Sequence, residues 1–111
     1  TRRAEAAFAL ARLGERDEGI ALLRDLLELP VEAYTAPLLA AGSLARLGDP
    51  SGLATIERGL SSDNQIVRRI AVKQLFHFAG IADVEPLFER ALADSDRGVA
   101  EQARAELREL G

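Results

Sequence analysis

Apolar residues along this chain follow helical rather than strand spacing. Ile20, Leu23 and Leu27 share one stripe, as do Leu53, Ile56 and Leu60, and then Val84, Leu87, Phe88 and Leu92. A second set, Val67, Ala71, Leu75 and Phe78, falls on one face of a further helix. Together they predict seven helices over residues 2–13, 17–29, 35–47, 50–61, 64–79, 83–93 and 97–110, and no strand. The linkers are short, so neighbours run antiparallel. We term the even-numbered helices the A layer and the odd-numbered ones the B layer. The expected fold is all-α, a right-handed superhelix of stacked helix pairs.

The pattern repeats. Ala11-Arg12-Leu13-Gly14, Ala45-Arg46-Leu47-Gly48, His77-Phe78-Ala79-Gly80 and Arg108-Glu109-Leu110-Gly111 end four segments alike, with glycines 34, 32 and 31 residues apart. A period in this range marks a solenoid. Glycine just past a helix supplies the left-handed position that other residues resist. Helix starts recur at matching offsets. Asp49 precedes Pro50, a residue suited to the first helical turn, and Asp63, Asp83 and Asp96 each precede an apolar-periodic run. Pro30 stops the helix that ends near Leu29.

Composition narrows the picture further. Apolar residues make up 48% and charged residues 29%, with only five aromatics (four Phe and one Tyr). Abundant Ala and Leu favour close helix packing over a sheet sandwich. The chain suits one domain over 1–111, about three and a half repeats, and its abrupt Thr1-Arg2-Arg3 opening reads as a piece of a larger protein. Cysteine is absent, which excludes disulfides and thiolate chemistry. No apolar run approaches the ~20 residues of a membrane span, and no signal-peptide pattern opens the chain. A cytoplasmic location is expected. The net charge of −4 argues against bulk attraction to nucleic acid or an anionic membrane.

Leu47-Gly48-Asp49-Pro50-Ser51-Gly52-Leu53, followed by Leu60, Asp63, Val67-Arg68, Ala71 and Leu75, resembles a bacterial HEAT-like repeat. Asp94, Asp96, Val99, Ala103, Leu107 and Gly111 match the pattern again, and Ala6 with Leu10 and Ala40 with Leu44 keep its Ala and Leu. The 31–34 residue period is similar to that of phycobilisome-lyase-type repeats. A tetratricopeptide unit over residues 9–30 is the lesser reading, because that pattern's large aromatics are missing. The resemblance specifies the fold and is uninformative about function; an interaction scaffold rather than an enzyme is expected. The resemblance also implies an Arg that ties repeats together through an inter-helix Asp. That Arg is replaced by Ala100 in the last repeat and its place falls at Pro37 in the second, so no continuous ladder is expected. Asp63 is the first candidate partner for Arg68.

Candidate chemistry is sparse. His77 is the only histidine and has no second His or Cys with which to hold a metal. It reads as an exposed residue near a helix C-terminus, where its charge is favourable. Asp94-Ser95-Asp96 lacks the further acids and the glycine of a calcium loop and reads as helix capping. No phosphate loop, nucleophile elbow or metalloprotease motif occurs. No catalytic residue, metal or cofactor is expected.

One surface is more informative. Helix positions six and two before a core Leu, and one after it, point away from the core. With Leu10, Leu44, Leu75 and Leu107 as register, the outward B face reads Ala4, Phe8 and Ala11; Leu38, Gly42 and Ala45; Arg69, Lys73 and Phe76; Glu101, Ala105 and Arg108. In HEAT-like stacks this layer lines the concave side. Phe8, Leu38, Arg69, Lys73 and Phe76 are therefore the candidate binding residues for a peptide or protein partner. The competing account is that Phe8 and Leu38 are covered by further repeats beyond this sequence, or by helix curvature. The rival function is a DNA-binding HEAT-like domain of the alkylpurine-glycosylase type. It would draw on Arg69, Lys73 and Arg108, with Arg12, Arg46 and His77 two residues after the register leucines. Leu44, Ile56, Ala71, Leu75, Leu87 and Leu107 are expected to be nearly fully buried.

Overall fold

A computed structural model describes residues 2–31 and 35–111. It contains seven α-helices: α1 (Arg2–Arg12), α2 (Arg16–Leu26), α3 (Ala36–Arg46), α4 (Leu53–Leu60), α5 (Gln65–Leu75), α6 (Glu85–Leu92) and α7 (Arg97–Leu110). Short 3-10 turns, Pro50–Gly52 and Phe76–Phe78, precede α4 and follow α5. Among the described residues there is no strand, only an isolated bridge between Ala79 and Ala82. Helices α1, α3, α5 and α7 pack side by side, and α2, α4 and α6 each pack against the B helices. The molecule is a slab with extents of 40 × 31 × 18 Å.

The glycine punctuation acts as its spacing predicts. Gly14, Gly48 and Gly80 all take positive φ, between 86° and 107°, at the helix ends. A Cβ would meet nothing at any of them, so conformation rather than space selects glycine there. The starts agree in part. Asp49 and Asp96 cap by accepting from the amides of Ser51 and Val99. Asp63 does not cap α5. Asn64, one residue later, accepts from the Ile66 amide, and Asp63 stays exposed. Asp83 accepts from the Glu85 amide at 3.3 Å, one residue ahead of the N-cap position.

Helix α3 holds the stack together. Ala36, Ala40 and Leu44 pack with Ala4, Ala7, Leu23 and Leu26 in a first apolar cluster. Leu38, Ala41 and Ala45 join Ile56, Leu75, Phe78 and Phe88 in a second. This corrects the outward assignment of Leu38, which is completely buried. Its side chain fills the space over Gly59, where a Cβ would lie 2.7 Å from Leu38 Cδ2. Ala4, Ala11, Gly42 and Ala45 were also assigned outward and are also buried. A B helix in the middle of a stack contacts a neighbour on each side and its own A layer. In α3 three sides are therefore apolar, and its exposed stripe lies one residue, or 100°, away from the predicted one, whereas in α5 the predicted Arg69 and Lys73 are exposed. Leu44, Ile56, Ala71 and Leu75 are fully buried as expected, whereas Leu87 and Leu107 are only partly buried. Leu107 sits in α7, the last helix of the B layer, with a neighbour on one side only.

Polar ties run between repeats. In the A layer Arg16 donates to the Leu47 carbonyl (2.8 Å) and Arg24 to the Asp49 carboxylate (2.7 Å). Arg58 reaches the Leu27 carbonyl and Thr55, and Arg90 reaches the Ser61 hydroxyl. Burial pushes the Asp49 carboxyl up, but hydrogen bonds from Ser51 and the Arg24 guanidinium outweigh it and leave it below the ordinary carboxylate value. Arg68 makes the family's tie with a different partner from the one expected. It donates through Nε and Nη2 to Asp94 (2.9 and 3.2 Å) and through Nη1 to the Ser62 carbonyl. Asp94 occupies the next repeat's inter-helix position, whereas Asp63 lies one residue out of register.

Two substitutions test this packing. Leu75→Ala should cost about 2–5 kcal/mol through lost transfer energy and the cavity left, and Leu107→Ala clearly less, both read by urea unfolding. Asp94→Ala should cost about 1–3 kcal/mol, because it strands a half-buried guanidinium and the Asp96 amide. Adding Arg68→Ala to it should cost less than the sum of the two single changes.

Candidate interaction face

The exposed side of the B layer is set by what α3 leaves uncovered: Leu39, Ser43 and Arg46, at offsets −5, −1 and +2 from Leu44. The same offsets give Glu5, Ala9 and Arg12 in α1, then Ile70, Gln74 and His77 around α5, then Gln102, Glu106 and Glu109 in α7. None of these residues is buried.

A row of contacts crosses these helices. The Arg46 guanidinium lies 4.1 Å from the centroid of the half-buried Phe8 ring, and the Arg12 guanidinium lies 5.8 Å from it. Both are within the range of cation–π attraction. His77, half-buried just after α5, feels the charges of both Arg46 and Glu106. Burial lowers its pKa first, the Arg46 charge lowers it further, and Glu106 opposes both. Its ring meets Phe76 edge to face at 5.7 Å. Gln102 donates to Glu106 (2.7 Å) and accepts from Arg69 (3.5 Å). Gln74 lies over Gly42, where any Cβ would overlap its side chain, and so α3 and α5 approach closely there. The row thus runs Arg12, Phe8, Arg46, His77, Glu106, Gln102, Arg69, with residues from all four B helices.

Of the predicted site residues, the structure brings Phe8, Phe76 and Arg69 to this row and leaves Lys73 exposed on α5. Leu38 is in the core. Arg46, which organises the row, stands out in the sequence only as one cation among several. The signal was nevertheless present: Arg12 and Arg46 both occupy the second place of an Ala-Arg-Leu-Gly tetrad, 34 residues apart. Arg24, Arg58 and Arg90 recur at 34 and 32 residues, the glycine spacing, and all three bridge repeats.

A family model for HEAT repeats matches residues 32–108. The chain belongs to the HEAT repeat family. No curated protein and no solved structure matches it. The match covers α3 to α7, and so three of the four helices that build the row.

Charge is divided between the layers of this HEAT stack. Helices α1, α3, α5 and α7 carry ten of the chain's 14 Lys and Arg but only four of its 18 Asp and Glu, namely Glu5, Glu101, Glu106 and Glu109. Neither α3 nor α5 contains an acid. The A-helix cations Arg16, Arg24, Arg58 and Arg90 are all engaged in the ties above. Among the described residues Arg12, Arg46 and Lys73 donate to no protein group. The B face therefore presents unpaired positive charge on a chain of net charge −4. Elsewhere, Arg3, Ala6, Ala7, Leu10, Leu22 and Leu26 line an open groove of about 370 Å³ on the first helix pair. Its walls are apolar but for Arg3, so it offers no chemistry beyond burial. No helix is long and apolar enough to cross a membrane among the described residues.

A nuclear magnetic resonance titration of His77 checks the row. Its pKa should lie below the ordinary imidazole value of about 6.5. Arg46→Gln should raise it by removing a repelling charge, and Glu106→Gln should lower it further.

Proposed function

We propose that this HEAT-type chain is a protein-interaction module, acting by binding rather than catalysis, and that a peptide or protein partner lies across its exposed B-helix face. HEAT repeats generally serve as interaction scaffolds. The observation that carries the reading is the asymmetry between the layers. A-layer cations are engaged in holding repeats together, whereas Arg12 and Arg46 on the B layer rest on the Phe8 ring with their N–H groups unused among the described residues, and Lys73 is exposed on α5. Aromatic and Arg side chains contribute disproportionately to protein binding. Four helices about 10 Å apart make a strip of ~30 Å, enough for an extended segment or a partner helix. The 31–34 residue period supports a place among the bacterial chromophore-lyase-type repeats within the family.

Photo-crosslinking tests the face. A photoreactive residue at Ser43, in the exposed stripe of α3, should form an adduct with the natural partner, and one at Glu57, exposed on α4, should not. Adducts at 57 and none at 43 would place the partner on the A layer and reject this reading.

A further inference from the structure

We propose that Arg12, Phe8 and Arg46 form a docking site for an acidic peptide segment, a run of Asp or Glu whose carboxylates take the two guanidiniums. This rests on the interaction-face reading above and gives the partner its chemistry.

The first ground is the contrast among the arginines. Arg16, Arg24, Arg58, Arg68, Arg69 and Arg90 each have a carbonyl, carboxylate, hydroxyl or amide acceptor within the stack. Arg12 and Arg46 have none among the described residues; Arg3, Arg104 and Arg108 have none either, but only Arg12 and Arg46 are gathered on a ring, that of Phe8. A guanidinium held against a ring uses its face for that contact. Its N–H edges stay free to donate, and a carboxylate matches their fork in two parallel hydrogen bonds. Because the ring holds the Arg46 guanidinium at 4.1 Å, less freedom is lost when a ligand binds.

The second ground is the local field. Helix α3, which carries Arg46, contains no acid, and neither does the neighbouring α5. Glu5 in α1 and Glu106 in α7 lie to either side. The positive patch is therefore short, about the reach of a few consecutive acidic residues.

The same facts favour a peptide over a nucleic acid. Nucleic-acid affinity grows with the number of phosphates neutralised, and few unpaired cations are available here on a chain of net charge −4. Base stacking needs an open ring face, and Arg46 covers one face of Phe8.

Fluorescence anisotropy at low ionic strength provides the test, using the full 111-residue chain. The probes are a labelled peptide of alternating Glu and Gly, a matched Gln and Gly peptide, and a single-stranded oligonucleotide of similar length. The Glu peptide should bind more tightly than the Gln peptide by at least roughly tenfold, and added salt should erode the difference. Arg46→Ala should remove most of that preference. Arg46→Lys should retain only part of it, because the fork and the stacking are lost while the charge remains. Arg104→Ala deletes an exposed cation on α7 and should change little. Circular dichroism confirms that each variant is folded. Equal binding of the two peptides, equal loss in Arg46→Ala and Arg104→Ala, or tighter binding of the oligonucleotide would each overturn the proposal. The two readings separate cleanly. If Ser43 still crosslinks to the natural partner while the Glu peptide shows no preference, the face stands and the acidic specificity falls.

Discussion

Close approach between small residues is the constraint on which the stack depends. A Cβ at Gly19 would fall 2.6 Å from the Ala7 carbonyl oxygen and from Ala11, and one at Gly52 would fall 2.6–2.7 Å from Ala41. Real Cβ atoms do not come so near, so these helices meet backbone to backbone. Gly19 lies inside α2, where glycine costs about 1 kcal/mol of helix propensity relative to Ala. Tight packing of α2 on α1 offsets that cost. With its neighbours so close, α3 is buried on three sides and shows solvent only a narrow stripe. The position of any binding face on the central repeats follows from that stripe.

The division of charge follows from the same packing. Each helix ends in carbonyls that need donors, and A-layer arginines of the adjoining repeats supply some of them: Arg16 to Leu47 at the end of α3 and Arg58 to Leu27 at the end of α2. Such ties use up the A-layer cations. The B layer packs through Ala, Leu and Val, with little need for ionic support. Arg68 with Asp94 is its one ion pair between repeats among the described residues. Arg12, Arg46 and Lys73 on the B helices therefore remain unpaired among the described residues, and net negative charge collects on the A layer and linkers. Unpaired cations thus gather on one layer of an acidic protein because its two layers are held together by different means.

How much of this was legible in the sequence depended on whether the signal was local. Glycines needing positive φ and Asp residues just ahead of apolar runs act within one turn, and Gly14, Gly48, Gly80, Asp49 and Asp96 behave accordingly. Where two polar candidates were adjacent, as with Asp63 and Asn64, the spacing could not choose; the cap went to the residue whose side chain reaches the Ile66 amide. The rotation of α3 was not legible from its apolar residues. Pro37, Leu38, Ala40, Ala41, Leu44 and Ala45 leave no polar face to orient by, and only packing against both neighbours shows that Leu38 faces Gly59. In α5, by contrast, Arg69 and Lys73 are polar and were correctly placed outside. The same charge pattern was available in α3 through Arg46, had its recurrence with Arg12 been weighed above the apolar register.

Each junction between repeats has a contact on the B side, and these contacts differ in what they leave for a partner. Arg68 with Asp94 is closed: both groups are largely buried, at 15% and 12% side-chain exposure, and each satisfies the other. Arg69 with Gln102 is partly closed, since Gln102 also donates to Glu106. Phe8 with Arg46 differs in kind. Attraction between a guanidinium and a ring face holds the two repeats together without using the hydrogen-bond donors. A carboxylate arriving at Arg46 would add to that contact rather than compete with it. Ligand binding and repeat stacking are then compatible at this junction, whereas a ligand at Arg68 would have to displace Asp94. Between the first two B helices the repeats are thus joined by a contact that leaves the cation's hydrogen-bond donors unused.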